Sequence, residues 1–87
     1  MLFFDFAKMT YAISGITNAV EDGKYAYLYQ ADANGEKVTE MPITGTKVSN
    51  GTYNFSMIRN GKYIVEIGDV STEVTVVDAN VTADITK

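Results

Sequence analysis

The stretch NGTYNFSMIRNGKYIVEIG, residues 50–68, contains nearly the same phrase twice. Asn-Gly-Thr-Tyr-Asn-Phe at 50–55 is followed ten residues later by Asn-Gly-Lys-Tyr-Ile-Val at 60–65. An Asn-Gly pair favours a tight turn, because both residues tolerate positive φ. After each pair, large apolar residues occupy alternate positions, as in a strand with one buried face. The doublet therefore predicts two consecutive strands, each of which begins with Asn-Gly and lines the same interior.

The rest of the chain consists of short runs of β-branched and aromatic residues, separated by turn residues at close, even intervals. Helical periodicity is scarce. We therefore predict an all-β fold, an antiparallel two-sheet sandwich of about seven or eight short strands. The strands are expected over residues 10–16, 24–31, 37–41, 44–49, 52–57, 62–67, 73–77 and 81–86.

The alternation also predicts which side chains face the interior, because successive strand residues point to opposite faces. Pro42 lies between two of the runs, where its missing N–H suits an edge or a switch from one sheet to the other. The expected interior residues are Ile13, Ala26, Leu28, Val38, Tyr53, Phe55, Met57, Tyr63, Val65, Ile67, Val74, Val76, Val81, Ala83 and Ile85.

The length of 87 residues predicts one domain. We expect residues 10–87 to form a single β-sandwich domain, and residues 1–9 to be an N-terminal extension or a frayed strand. The extension lacks the basic start and small-residue cleavage site of a signal peptide. Its apolar cluster is expected to cap the open end of the sandwich, or to lie against a second copy or a neighbouring domain. The cluster consists of Leu2, Phe3, Phe4 and Phe6.

The composition excludes several classes of function. The chain has no histidine, cysteine or tryptophan, which removes the common zinc ligands, thiol nucleophiles, disulfides and His-based triads. With a net charge of −4 and a single arginine, Arg59, it lacks the clustered basic residues that nucleic acids require. No apolar run approaches the ~18 residues of a membrane span. We expect a protein that is not an enzyme, has no cofactor or metal, and neither binds nucleic acid nor inserts into a membrane.

The doublet resembles the signature of carboxypeptidase-regulatory-like and transthyretin (prealbumin)-like β-sandwich domains. In that signature a Gly-x-Tyr/Phe-x-Phe strand is followed by Gly-Lys-Tyr and an alternating apolar strand. YAISGIT at 11–17 resembles the first strand of such domains, and TEVTVVDANVTADI at 72–85 resembles their closing hairpin. The residues that match the signature are Gly51, Tyr53, Phe55, Gly61, Lys62, Tyr63, Val65 and Ile67.

A second group is almost equally similar, namely the small β domains that precede thioredoxin-like domains in bacterial envelope proteins. GKYAYLYQAD at 23–32, followed by VSNGTYNFSM at 48–57, is typical of that group. Both resemblances imply a non-catalytic sandwich that is exported to the bacterial periplasm or cell surface and is attached to a larger protein.

The stretch KYAYLYQ, residues 24–30, contains the candidate interaction site. If Ala26 and Leu28 point inward, then Tyr25, Tyr27 and Tyr29 form a stripe on the opposite face, about 7 Å apart. Such a row can stack on sugar rings or form the apolar centre of a protein interface. Alternatively, the tyrosines stabilise an exposed sheet by cross-strand pairing, or they belong to the core and the register is inverted.

Three other groups of residues carry weaker chemical signals. DANGE at 32–36 spaces oxygen ligands like the start of a calcium loop, but the twelfth position is Ile43 and not a bidentate Glu. A hairpin turn explains this stretch more simply. Lys8, Asn80 and Glu66 could supply an internal isopeptide bond, although the accompanying acidic motif is absent. Glu66 is otherwise read as a solvated residue on the outer face of its strand.

Two functional hypotheses follow from these features. The first is an exported accessory or interaction module, which binds a protein or a glycan or positions a larger envelope protein. The second is a structural subunit that self-associates through edge strands or through its Phe-rich N-terminus. We expect a monomer or a weak homo-oligomer.

Overall fold

The computed structural model describes residues 10–87, which form seven strands in two sheets. One sheet has three strands in the order β4-β1-β7, and the other has four in the order β3-β2-β5-β6. The strands are β1 (Tyr11–Ile16), β2 (Tyr25–Gln30), β3 (Thr44–Lys47), β4 (Thr52–Ile58), β5 (Gly61–Ile67), β6 (Val70–Val76) and β7 (Val81–Thr82). The predicted all-β, two-sheet sandwich is confirmed.

Most neighbouring strands are antiparallel, but β7 runs parallel to β1, with Ile13 opposite Val81 and Ser14 opposite Thr82. A parallel pair is possible here because the chain reaches β7 by crossing from the other sheet and not through a hairpin. β7 is also shorter than the predicted strand over 81–86. Beyond it, Ile85 forms only an isolated bridge to Thr17.

The doublet forms two consecutive strands that are not paired with each other. β4 belongs to the three-stranded sheet and β5 to the four-stranded sheet, so they face each other across the interior. Asn50 and Gly51 have φ values of 55° and 71°, the combination that a two-residue type I′ turn requires. This turn joins Ser49 to Thr52 and carries the chain from one sheet to the other.

The core lies between the sheets and follows the predicted alternation over most of its extent. Val81 and Ala83, which were also predicted inside, are partly buried and pack against it. Fully burying one valine, leucine or isoleucine side chain of this core stabilises the fold by about 1.5–3 kcal/mol. The buried residues are Ile13, Ala19, Ala26, Leu28, Val48, Tyr53, Phe55, Ile58, Tyr63, Val65, Ile67, Val74, Val76 and Ile85.

The prediction that Met57 lies in the interior is wrong. Tyr11 pairs with Ile58 and Ile13 with Phe55, so β4 carries one more residue than β1 between these pairs. This is a β-bulge, and Met57 within it has a φ of 60°. The extra residue reverses the alternation, so that Ile58 is buried and Met57 is 77% exposed.

The predicted strand over 37–41, with Val38 inside, is also wrong. Lys37 forms only an isolated bridge to Ala31, after which the chain leaves the sheet. The hydroxyl of Thr39 accepts a hydrogen bond from the Met41 N–H at 3.2 Å, and it lies 3.0 Å from the Met41 carbonyl oxygen. These local contacts replace strand pairing, and Val38 is 55% exposed.

The predictions for the Phe-rich cluster and for Lys8 concern residues 1–9, which lie outside the described residues. In the part that the structure describes, no helix is long and apolar enough to cross a membrane.

Candidate functional site

The candidate site lies on the outer face of the four-stranded sheet. Ala26 and Leu28 are fully buried, so the intervening tyrosines of β2 point away from the core, as the alternation predicts. Tyr25 is 47% exposed and Tyr27 is 41% exposed, whereas Tyr29 is only 8% exposed. The face therefore presents two tyrosines to solvent and not three. That a partner binds there remains a prediction.

Tyr25 and Tyr27 form a stacked pair. Their ring centroids are 6.2 Å apart and the ring planes are inclined by 23°. Opposite Tyr27 on β3 is Gly45, where a Cβ would lie 3.1 Å from two atoms of the Tyr27 ring. A larger residue at position 45 would push the ring away, so glycine lets the ring lie over the edge strand. The pair presents flat apolar area with polar hydroxyl tips, which suits a protein or sugar contact.

Tyr29 is covered by the segment that follows β2. The Lys37 ammonium lies 3.9 Å from the centroid of the Tyr29 ring and 3.2 Å from Oε2 of Glu66. The Tyr29 hydroxyl donates to Oε1 of Glu66 at 3.3 Å. The hydrogen bond to Glu66 raises the pKa of Lys37. Beneath this contact, Tyr29, Ala31 and Ile64 form a small second apolar cluster.

Glu66 therefore has a more specific environment than the sequence predicts. It lies on the outer face, as expected, but it holds Lys37 and Tyr29 together and is not simply solvated. We call residues 31–38 the clasp, because Lys37 ties this segment to β5. The clasp covers the outer face at Tyr29 and leaves the Tyr25–Tyr27 pair exposed.

The calcium-like stretch forms the turn of the clasp. Oδ1 of Asp32 accepts hydrogen bonds from the N–H groups of Asn34 at 2.8 Å and Glu36 at 3.0 Å. The side chain thus closes the turn locally, as asparagine and aspartate commonly do. Within residues 10–87, no three carboxylates, histidines or cysteines are grouped so as to hold a metal ion.

Of the candidate isopeptide residues, Asn80 and Glu66 lie within residues 10–87, and they contact different sheets. Oδ1 of Asn80 accepts a hydrogen bond from the N–H of Ala12, in β1 of the three-stranded sheet, at 2.9 Å. Glu66 lies on the outer face of the four-stranded sheet, bound to Lys37. The structure therefore does not bring these two together.

A groove of about 320 Å³, which the sequence does not predict, lies at one end of the sandwich. Apolar side chains from both sheets line it, and Tyr63 donates its hydroxyl hydrogen to the Arg59 carbonyl at 2.8 Å. Met57, which lines the groove, lies in the bulge, and the bulge has no clear signal in the sequence. The lining residues are Leu28, Gln30, Ile43, Met57, Ile58, Arg59 and Tyr63.

Comparison with known proteins supports the fold. No protein-family model matches the chain, and no curated protein matches it significantly. Two crystal structures of BcpA, the major pilin subunit of Bacillus cereus, are similar. An Asp-to-Ala variant of BcpA matches 88% of this chain with a TM-score of 0.59 and 14% identity. BcpA itself matches 91% with a TM-score of 0.56 and 15% identity.

The matched region is 28% of the variant BcpA chain and 30% of the BcpA chain. This chain therefore spans less than a third of the length of these structures. At 14–15% identity, the likeness shows a shared β-sandwich fold.

Proposed function

We propose that this chain is a non-catalytic β-sandwich module of an exported bacterial protein, and that it contacts a protein partner through the Tyr25–Tyr27 pair. The exposed, stacked pair on the outer face is the observation that carries the proposal. Tyrosine is enriched in interfaces because it buries a large area at a small cost in side-chain entropy.

Two features support a location at the bacterial surface. The doublet resembles the prealbumin-like and carboxypeptidase-regulatory-like domains, which are exported and attached to larger proteins. The fold is similar to part of a pilin subunit. The chain would then act in the periplasm or on the cell surface, as one module of a larger envelope or surface protein.

The groove supports a non-catalytic role. Its lining is mainly apolar, and no carboxylate is among the side chains that form it. The Tyr63 hydroxyl hydrogen is donated to a backbone carbonyl. Acid–base catalysis requires titratable groups that converge on one reacting position, and this lining does not supply them.

Site-specific photo-crosslinking tests the binding face. A photoreactive phenylalanine analogue is placed at Tyr27 in the organism that encodes the chain, and a matched variant carries it at Asn54. Asn54 is exposed on β4, in the other sheet. We expect a discrete protein adduct from position 27 and none from position 54. Equal labelling from both positions, or no adduct from position 27, would refute the proposed face.

A polysaccharide-binding assay distinguishes a glycan from a protein partner. If the unmodified chain binds a cell-wall polysaccharide, and the double variant Tyr25→Ser/Tyr27→Ser does not, the partner is a glycan and the protein assignment is wrong. A variant with Val38→Ser and Met41→Ser serves as control, because both residues are exposed outside the tyrosine pair.

A second candidate function is that of a structural subunit in an assembly of copies. The similarity to part of a pilin subunit favours it, as does the form of β6. Over residues 70–76, β6 is an edge strand with no proline and an uninterrupted register with β5. Such an edge can accept a further strand. Sedimentation at several concentrations tests this function, because an assembling subunit associates and a strict monomer would contradict it.

The variant Thr75→Pro identifies the surface used in such an assembly. The two-residue turn between Ile67 and Val70 makes these residues a hydrogen-bonded pair. Along an antiparallel strand, only every second residue directs its N–H to the neighbouring strand. Val70 directs its N–H to β5, and Thr75 is an odd number of positions further on, so the N–H of Thr75 points away from β5. Proline at this position removes an outward donor but no bond to β5. Association that persists in this variant does not depend on β6.

A further inference from the structure

The groove opens between the sheets at the end where β4 finishes and β5 begins. At its mouth, Ile43 is 52% exposed and Met57 is 77% exposed. Exposed apolar side chains that adjoin an apolar groove mark a contact surface. Within residues 10–87, neither side chain is covered.

Met57 also has an unusual backbone conformation. Its φ of 60° is in the left-handed region, which is unfavourable for a side chain with a Cβ. Glycine is the usual residue at this position of such a bulge. Packing among the described residues does not explain methionine here, because the side chain faces solvent. A side chain from outside residues 10–87 that packs on Met57 would explain why methionine occupies this position.

The N-terminal segment joins the sandwich at this same end. Tyr11, the first residue of β1, pairs with Ile58, which lines the groove. Adjacent strands are about 4.8 Å apart, so the chain preceding Tyr11 starts beside the groove. The nine residues 1–9 can extend about 30 Å, which is enough to cross it.

The composition of this segment is complementary to the groove. Its sequence is MLFFDFAKM, in which Leu2 and the three phenylalanines, Phe3, Phe4 and Phe6, surround a single carboxylate, Asp5, with the segment's one cationic side chain, Lys8, further along. The groove is apolar and includes Arg59. The one ion pair within residues 10–87 joins Lys37 to Glu66, so no carboxylate of that part of the chain pairs with Arg59.

We propose that the groove binds the N-terminal segment of the same chain, with a phenylalanine side chain against Met57 and Ile43 and with Asp5 near Arg59. The short connection through Thr10 favours the same chain over a second copy. A tethered segment has an effective concentration in the millimolar range, which a separate molecule at ordinary concentrations does not reach.

Methyl NMR tests this proposal on the full 87-residue chain. The four methionines are labelled with ¹³C in their methyl groups, and the resonances are assigned by Met→Leu substitution. We expect the Met57 methyl to be shifted upfield by an aromatic ring and to show NOEs to phenylalanine ring protons. In a variant that combines Phe3→Ser, Phe4→Ser and Phe6→Ser, the resonance should return to the position of an exposed methionine.

Met41 is an internal control, because it is 76% exposed and does not line the groove. Its resonance should be the same in both proteins. A second pair of variants tests the site from the other side. Ile43→Lys should abolish the Met57 shift, whereas Ile16→Lys, at the other end of β1, should leave it unchanged.

Two outcomes would overturn the proposal. If the Met57 resonance is identical in the original chain and the triple serine variant, the segment does not contact the groove. If the shift is present but disappears on dilution, the groove binds the segment of a second copy. Neither outcome bears on the Tyr25–Tyr27 surface, which lies on the outer face of the sheet.

Discussion

Replacing Asp22 by alanine should destabilise the turn that begins the doublet. Oδ2 of Asp22 accepts a hydrogen bond from the N–H of Asn50, and Oδ1 accepts one from the N–H of Gly51, both at 3.0 Å. These are the two central residues of the turn that carries the chain from β3 to β4. One carboxylate therefore fixes the connection between the sheets.

The expected loss can be worked out from these two bonds. A hydrogen bond to a charged group contributes about 1.5–3 kcal/mol when it is shielded from water, and less when it is exposed. Because Asp22 and Asn50 are exposed, we take about 1 kcal/mol for each bond and about 2 kcal/mol for the alanine variant. Since 1 kcal/mol shifts Tm by about 4–8 °C in a domain of this size, Asp22→Ala should lower Tm by about 10 °C.

The variant Asp22→Asn separates the two bonds. The asparagine side chain has one carbonyl oxygen, which can replace only one of the two carboxylate acceptors. The free energy of unfolding should therefore fall about half as much in Asp22→Asn as in Asp22→Ala. Urea unfolding followed by circular dichroism gives the free energy of unfolding for both variants. Asp69→Ala serves as control, because this carboxylate in the β5–β6 turn accepts no hydrogen bond within residues 10–87. Equal losses for Asn and Ala, or losses below about 0.5 kcal/mol, would refute this reasoning.

Two further predictions concern the contact between β1, β4 and the C-terminal segment. Gly15→Ala should lower the free energy of unfolding by about 2–3 kcal/mol, since the new Cβ would collide with the backbone carbonyl of Ala83. Urea unfolding measures the loss, and a loss below about 0.5 kcal/mol would contradict the collision. Burial raises the pKa of Tyr53 from 10.0 to about 12. Above pH 10, the Tyr53 hydroxyl therefore loses its proton in the unfolded state before it does so in the folded state. The free energy of unfolding should fall between these two pH values by up to about 1.4 kcal/mol per pH unit. Urea unfolding across this range should show that Tyr53→Phe removes this part of the slope, and an unchanged slope would contradict the assignment.

The fold could be predicted because the decisive signals are local. Asn50 and Gly51 adopt the positive φ values that their residue types favour. Tyr53 and Phe55 in one sheet, and Tyr63 in the other, are buried as the alternation requires. Each of these features depends on residue type and on neighbours within a few positions. The sheet to which each strand belongs depends on contacts between distant residues, and the sequence did not indicate it.

The errors occur where a single residue changes the local geometry. One extra residue in β4 exchanges the positions of Met57 and Ile58, and nothing in their residue types distinguishes the buried one. The error at Val38 has a related cause, because the chain leaves the sheet after a single bridge between Lys37 and Ala31. Alternation predicts faces only while the pairing continues, so a bulge or an early strand end reverses or cancels the prediction.

The tyrosine stripe shows why an interaction surface is harder to predict than a core. Alternation places Tyr25, Tyr27 and Tyr29 on one face because it depends only on residues two positions apart. Whether that face is open depends on Lys37, which folds back over the Tyr29 ring and pairs with Glu66 on β5. Tyr29 thus contributes to packing, while Tyr25 and Tyr27 remain on the surface. Since Glu66, which holds Lys37 and Tyr29 together, is 29 and 37 positions away from them along the chain, no short motif could have separated the two roles.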